Sequence, residues 1–399
     1  MDKLWTRSFI CACIGNFLLF FAFYLLLPIL PLYLIDVFSA SKTLVGFVLS
    51  SYTLAALLVR PFSGFLLDLF RRKPQYLIAY FFFVIFFIGY PVVTSINLFL
   101  FIRIIHGATF GFVTTAGNSL VVDILPSSRR GEGLGYFGVA NNLAMVVGPM
   151  ISLMLHEKGS SYDTIFYLAI ISGLCGFVFA SSIKVEKLFQ PKPDRTFAFD
   201  RFFLFKGFRA GFSFFLSGIP YGMFMTYLAI YGKELNIEVG LGFFFTLLAC
   251  GMVFSRLFSG KMVDRGKLTQ AIKLGLFVGI IGLFLLASLQ RINTYSHAVV
   301  LVLFFLIPVI LGLGYGLTFP AFNTLFVNLA PNNRRATASS TFMTSWDLGV
   351  GSGLILGGWF ADSAGGLSLA FLVGGLLSLF SFVYFTKSVE PHFQRNKFR

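Results

Sequence analysis

Sixteen acidic residues stand in this 399-residue chain, and Asp347 is the one placed deep inside a long apolar stretch. It lies twelve residues past Arg335, about 18 Å of helix at 1.5 Å per residue, which would set it near the middle of a membrane. An ionisable group at that depth is costly and marks function by default, most simply the uptake and release of a proton. Of the four histidines only His106 falls within an apolar stretch, and Arg103 precedes it by one helical turn on a similar face. An imidazole changes charge near neutral pH, so His106, with Arg103 beside it, is a second candidate for proton handling. The structural alternatives are that Asp347 pairs with Arg103 or with nearby hydroxyls, and that His106 is a packing residue.

Polar and aromatic side chains at comparable depth are candidates to line a substrate cavity: Asn16, Tyr24, Asn118, Asn141, Asn142, Tyr221, Asn323 and Trp346. The chain has no Gly-x-x-x-x-Gly-Lys-Ser/Thr loop for a nucleotide, no cluster of metal-ligating residues and no nucleophile arrangement. No cofactor or metal is therefore expected, and an enzyme is not.

These residues need long apolar helices to hold them. Hydrophobic residues make up 57% of the chain and charged ones 12%, against about 25% charged in soluble domains. Uncharged runs of the length a membrane crossing requires recur throughout. They predict twelve spans: 8–36, 43–68, 74–95, 98–125, 133–156 and 163–184, then 207–233, 239–263, 268–290, 297–327, 337–361 and 366–387. The fold class expected is an all-α membrane protein of two six-helix bundles. Its parts are residues 1–184, a cytoplasmic linker at 185–206, and residues 207–399 ending in a short cytoplasmic tail.

The net charge of +15 does not imply nucleic acid, because of where it sits. At the span ends and in the loops, only Lys42, Lys158, Lys233 and Arg291 fall on the side opposite the termini. This bias places both termini in the cytoplasm, with membrane lipid as the solvent. Cys11, Cys13, Cys175 and Cys250 lie in apolar runs at spacings that suit neither a metal nor a redox motif.

The two halves repeat. Arg60, Gly64 and Asp68 match Arg256, Gly260 and Asp264 at one offset of 196 residues, and Gly107, Gly111 and Asn118 match Gly312, Gly316 and Asn323 at another of 205. At the second offset Asp347 corresponds to Asn142, a carboxylate in one half where the other has an amide. Asp68 and Asp264 close spans 2 and 8 on the cytoplasmic side, where a carboxylate can accept from a helix N-terminus or an arginine. With Gly64, Arg71, Arg72, Asp123, Arg129, Arg130, Gly260 and Arg265 they form a candidate cytoplasmic gate. The glycines of Gly218-x-Pro220-x-Gly222 and of Gly312-x-Gly314-x-Gly316 suit either flexible or closely packed helices. Parallel six-helix repeats suit a carrier whose midplane site opens alternately to each side.

These blocks resemble the major facilitator superfamily over essentially the whole length. The likeness rests on Gly64-x-x-x-Asp68 with Arg71, Arg72 and Lys73, on its echo at Gly260, Asp264 and Arg265, on Arg103-x-x-His106-Gly107, and on Gly148-Pro149. Pro28-x-x-Pro31-x-Tyr33 is similar to the twelve-helix drug and metabolite efflux branch. Leu69 and Arg71 stand where the family's loop usually has a basic residue and a glycine, and Met150 to Leu153 replace the glycines usual after Gly-Pro. The resemblance implies a monomeric secondary transporter in the cytoplasmic (inner) membrane, exchanging protons for a small organic solute moving outward. Proton-coupled import, or facilitated passage, of a sugar, organic acid or other metabolite is the alternative.

Overall fold

The computed structural model describes residues 3–126, 129–185, 204–237, 240–331 and 335–397. Most of the expected linker, residues 186–203, lies outside the described residues, as do the side-chain surroundings of Gly64, Asp68, Arg130, Gly260 and Asp264.

In an apolar solvent a backbone must satisfy its own hydrogen bonds, which leaves the helix as the only open-ended way to cross. Among the described residues every regular element is helical. The helices are α1 (Arg7–Leu26), α2 (Ile29–Phe38), α3 (Lys42–Leu69), α4 (Arg72–Val92), α5 (Ile96–Ile124), α6 (Arg130–Glu157) and α7 (Tyr162–Ser181). They continue as α8 (Phe208–Glu234), α9 (Leu241–Asp264), α10 (Leu268–Asn293), α11 (His297–Asn328), α12 (Arg335–Ala361), α13 (Gly366–Tyr384) and α14 (Glu390–Asn396). Pairing α1 with α2 and α13 with α14 gives twelve rods among the described residues, of which ten are long and apolar enough to cross a membrane.

Local chemistry sets the breaks. Pro28 lacks an N–H and crowds the preceding turn, so the first rod kinks at Leu27 and Pro28 and restarts at Ile29. Ser95, Ser161 and Ser296 cap α5, α7 and α11 by accepting from Leu98, Thr164 and Val299. At the C-terminus the expected tail is helical instead: a π turn over Phe385–Val389 carries the chain into α14. The reason is apolar, since Phe385, Val389 and Phe393 are buried in a cluster with Phe214, Phe322 and Phe342.

The chain divides into two compact units. The first comprises Met1–Phe38 and Ser51–Thr196, the second Ser39–Ser50 and Phe197–Arg399. The start of α3 thus belongs with the second unit and its remainder with the first. Within the first unit α1 packs on α6 and α7, and α4 on α5 and α7. Tyr80 donates to the Gly15 carbonyl at 2.9 Å, and Ser172 to that of Leu18 at 3.0 Å. In the second, α8 packs on α12 and α13, α11 on α9 and α10.

The glycine run in α11 is a packing device. A Cβ at Gly312 would stand 2.0 Å from the Leu248 carbonyl oxygen, and one at Gly314 would stand 2.7 Å from the Gly279 nitrogen. Alternate glycines therefore serve opposite neighbours, α9 and α10. Because the obstacle at Gly312 is backbone, Gly312→Ala forces the helices apart at a cost of about 1–3 kcal/mol. The expected result is a lower thermal midpoint for the purified protein in detergent; an unchanged midpoint would rule out tight α9–α11 packing there.

Candidate functional site

Three helices of the first unit bring two phenols, a guanidinium and an imidazole together. Arg103 and His106 come from α5, Tyr90 from α4 and Tyr52 from α3. Their approach depends on Gly107, where a Cβ would lie 2.2 Å from the Tyr52 carbonyl oxygen. Arg103 donates through Nη1 to the Tyr90 hydroxyl at 3.2 Å, and that hydroxyl lies 2.7 Å from His106 Nδ1. The Arg103 Cζ sits 4.1 Å from the centroid of the Tyr52 ring, a cation–π contact. Phe83 and Phe87 pack on the imidazole with centroids at 4.8 and 4.5 Å, and Phe23 and Phe110 pack on Tyr52.

The cluster is buried and incompletely satisfied. Arg103 is 5% exposed, Tyr52 2% and His106 1%. Arg103 Nε, His106 Nε2 and the Tyr52 hydroxyl have no hydrogen-bond partner. Each such atom costs roughly 1–3 kcal/mol, and folded proteins rarely leave several together. No ion pair within 4.0 Å is made by Arg103 among the described residues.

Asp347 lies in the second unit near the middle of α12 and is half-buried. Its neighbour Trp346 belongs to an aromatic group with Phe214 and Tyr221 at 4.9 Å, Phe319 at 5.3 Å and Tyr315 at 6.1 Å. Of the other cavity candidates, Asn16 is buried and donates to the Phe137 carbonyl at 3.2 Å. Tyr24, Asn141, Asn142 and Tyr221 are half-buried, and Asn118 and Asn323 are exposed. The Asn141 side-chain oxygen has no partner.

Within the first unit, Arg72 pairs with Asp123 at 2.7 Å, tying α4 to α5. Arg129 pairs with Glu132 one turn on at 2.8 Å. Arg71 and Arg265 are exposed.

A second constellation, unforeseen from the sequence, lies wholly within the second unit. The Asp362 carboxylate, just past α12, accepts from the backbone N–H of Lys42 at 3.1 Å and of Thr43 at 2.7 Å, capping α3. Lys42 also pairs with Glu234. Tyr227 donates to the carbonyls of Lys42 and Leu354 at 3.1 and 2.7 Å. Burial raises the Asp362 pKa, but the bonds from Thr43 and Lys42 and the Lys42 charge outweigh it and hold the carboxyl below its ordinary 3.8. No local spacing in the sequence pointed to this grouping.

Comparisons with known proteins bear on the whole chain. The family model described as the Major Facilitator Superfamily matches residues 12–353 and 300–398. An uncharacterized MFS-type transporter of Methanocaldococcus jannaschii is 26% identical over 347 residues, covering 85% of this chain and 87% of that protein. The quinolone resistance protein NorA of Staphylococcus aureus is 26% identical over 185 residues, 46% of each chain. Among solved structures, a point mutant of the peptide transporter POT superposes with a TM-score of 0.79 at 14% identity, covering 98% of this chain and 96% of that one.

Proposed function

The chain belongs to the major facilitator superfamily, and from that premise we propose that it exports a small organic solute by alternating access, in exchange for protons. The observation that carries this reading is Asp347, a half-buried carboxylate midway along α12, a depth at which an ionisable side chain marks function by default. Outward direction rests on the efflux-type Pro28-x-x-Pro31-x-Tyr33 segment and on the likeness of about half the chain to a quinolone resistance protein.

In this scheme the protein works as a monomer in the cytoplasmic membrane with both termini inside. Residues 1–184 and 207–399 act as the two six-helix halves, joined by 185–206. Substrate and proton bind at mid-depth, with Asn142, Tyr24, Tyr221 and Trp346 lining the path. His106 and Arg103, buried within the first half, are the further candidates for handling the proton. The Gly64–Asp68 and Gly260–Asp264 ends of α3 and α9, with Arg71, Arg72, Asp123, Arg129, Arg130 and Arg265, close the cytoplasmic face.

The test needs a solute first. One that raises the thermal midpoint of the purified protein qualifies, because a binder stabilises the folded state by mass action. In everted membrane vesicles, energised accumulation of that solute should exceed that of vesicles lacking the protein and collapse when a protonophore is added. Accumulation only in right-side-out vesicles would make the protein an importer of a metabolite. Indifference to the protonophore would remove the proton.

A further inference from the structure

We propose that Arg103, His106 and Tyr52 form a subsite for the carboxylate of an organic monoanion, which names the substrate class of the carrier proposed above and rests on that reading.

The hydrogen-bond order sets the donors. Arg103 Nη1 already donates to the Tyr90 oxygen, so the phenol's own proton turns to His106 Nδ1. A neutral imidazole then carries its proton on Nε2. Nε2–H and the Arg103 Nε–H are thus two N–H donors without acceptors, and the Tyr52 hydroxyl is a third polar group in want of a partner. All three sit in one cluster, with the Tyr52 and His106 rings 5.3 Å apart. A carboxylate, with two acceptor oxygens and no donor, complements such a set better than an amide, which would set N–H against N–H.

Charge narrows the class further. A guanidinium remains charged in proteins, and Arg103 has no carboxylate partner among the described residues. One negative charge neutralises it; two would leave an excess in a low-dielectric site. The surrounding rings of Phe23, Phe83, Phe87 and Phe110 suit a solute whose remainder is apolar. An aryl or alkyl monocarboxylate satisfies all three conditions. Tyr52 is the wall that can move, because its helix α3 begins in the second unit and passes into the first at Ser51.

The experiment compares matched probes on the full-length protein in detergent. Thermal midpoints are titrated with benzoate and hexanoate, with benzamide and hexanamide, and with isophthalate as a dianion. Both monocarboxylates should raise the midpoint, and neither amide nor isophthalate should match them. Arg103→Gln should weaken the carboxylate response at least tenfold and Tyr52→Phe severalfold. If Arg103→Gln does not fold, Tyr52→Phe, which keeps the ring, decides alone. Equal responses to acid and amide, no response to either acid, or a full response in the variant that folds would each overturn the subsite. Flux separates the two readings: carboxylate binding without transport in vesicles refutes the carrier, whereas transport of a neutral solute with no preference for carboxylates refutes only the subsite.

Discussion

Asp347→Asn is expected to abolish uphill transport while leaving binding and solute-for-solute exchange largely intact. The amide is nearly isosteric with the protonated acid and cannot change charge. A carrier locked in the protonated-like form still cycles with solute, but it no longer links solute movement to the proton gradient. The accumulation ratio in energised vesicles should therefore fall to about one, the value for a transporter that biases neither side. Exchange of internal for external solute, measured without a gradient, should stay within a few-fold of the unsubstituted protein. Full uphill transport by Asp347→Asn would remove the carboxylate from the coupling step and pass the role to His106, or to no proton at all.

The second large effect concerns the start of α3. A Cβ at Gly358 would stand 2.2 Å from the Lys42 carbonyl oxygen and 2.6 Å from the Tyr227 hydroxyl, and one at Gly46 would stand 2.3 Å from the Leu354 oxygen. Both obstacles include backbone, so Gly358→Leu cannot be accommodated by a rotamer change. The resulting strain exceeds about 1–3 kcal/mol, and each 1.4 kcal/mol is tenfold in an equilibrium. Residues 39–50 should leave their seat in the second unit. Val45 is fully buried there, so a Val45→Cys reporter should label with a membrane-impermeant maleimide about tenfold faster in the Gly358→Leu background. The exposed Cys175 and Cys250 are replaced first. Without Gly358→Leu the labelling rate, once corrected for the thiolate fraction on which maleimide depends, should stay flat between about pH 5 and 8: a carboxyl with a depressed pKa contributes its stabilisation above the ordinary value and loses it only as pH falls through the lowered one. Unchanged labelling in the leucine variant would mean that close packing of Gly358 against Lys42 does not hold residues 39–50 in place.

The spans were legible because membrane crossing demands long apolar runs and the basic residues alternate with the crossings. Most helix ends fall within about three residues of the expected ones. The last helix was not, since its π turn is driven by Phe385, Val389 and Phe393 meeting residues far away in sequence. At the site, Arg103 and His106 could be paired by their one-turn spacing. Tyr52 and Tyr90 could not, because they stand on separate helices among fifteen tyrosines with no spacing to single them out. Asp362 escaped for the same reason: nothing local to it points to Lys42. Asp347 was found because depth alone distinguishes it, whereas what surrounds it depends on packing that no periodicity encodes.

The seating of Ser39–Ser50 in the second unit also orders how the protein is made. The bonds from Lys42 and Thr43 to Asp362 bridge 320 and 319 residues, and that from Tyr227 to Lys42 bridges 185. A ribosome delivers the N-terminal end of α3 long before its seat exists. Until residue 362 has been synthesised, the first N–H groups of α3 lack this cap, and Val45, Val48 and Leu49 lack their final cover. Lipid can shelter such apolar side chains in the interval, and water can stand in at these exposed N–H groups until the carboxylate arrives. These contacts therefore close only after residue 362 has been made, and the first half of the chain is completed late in synthesis.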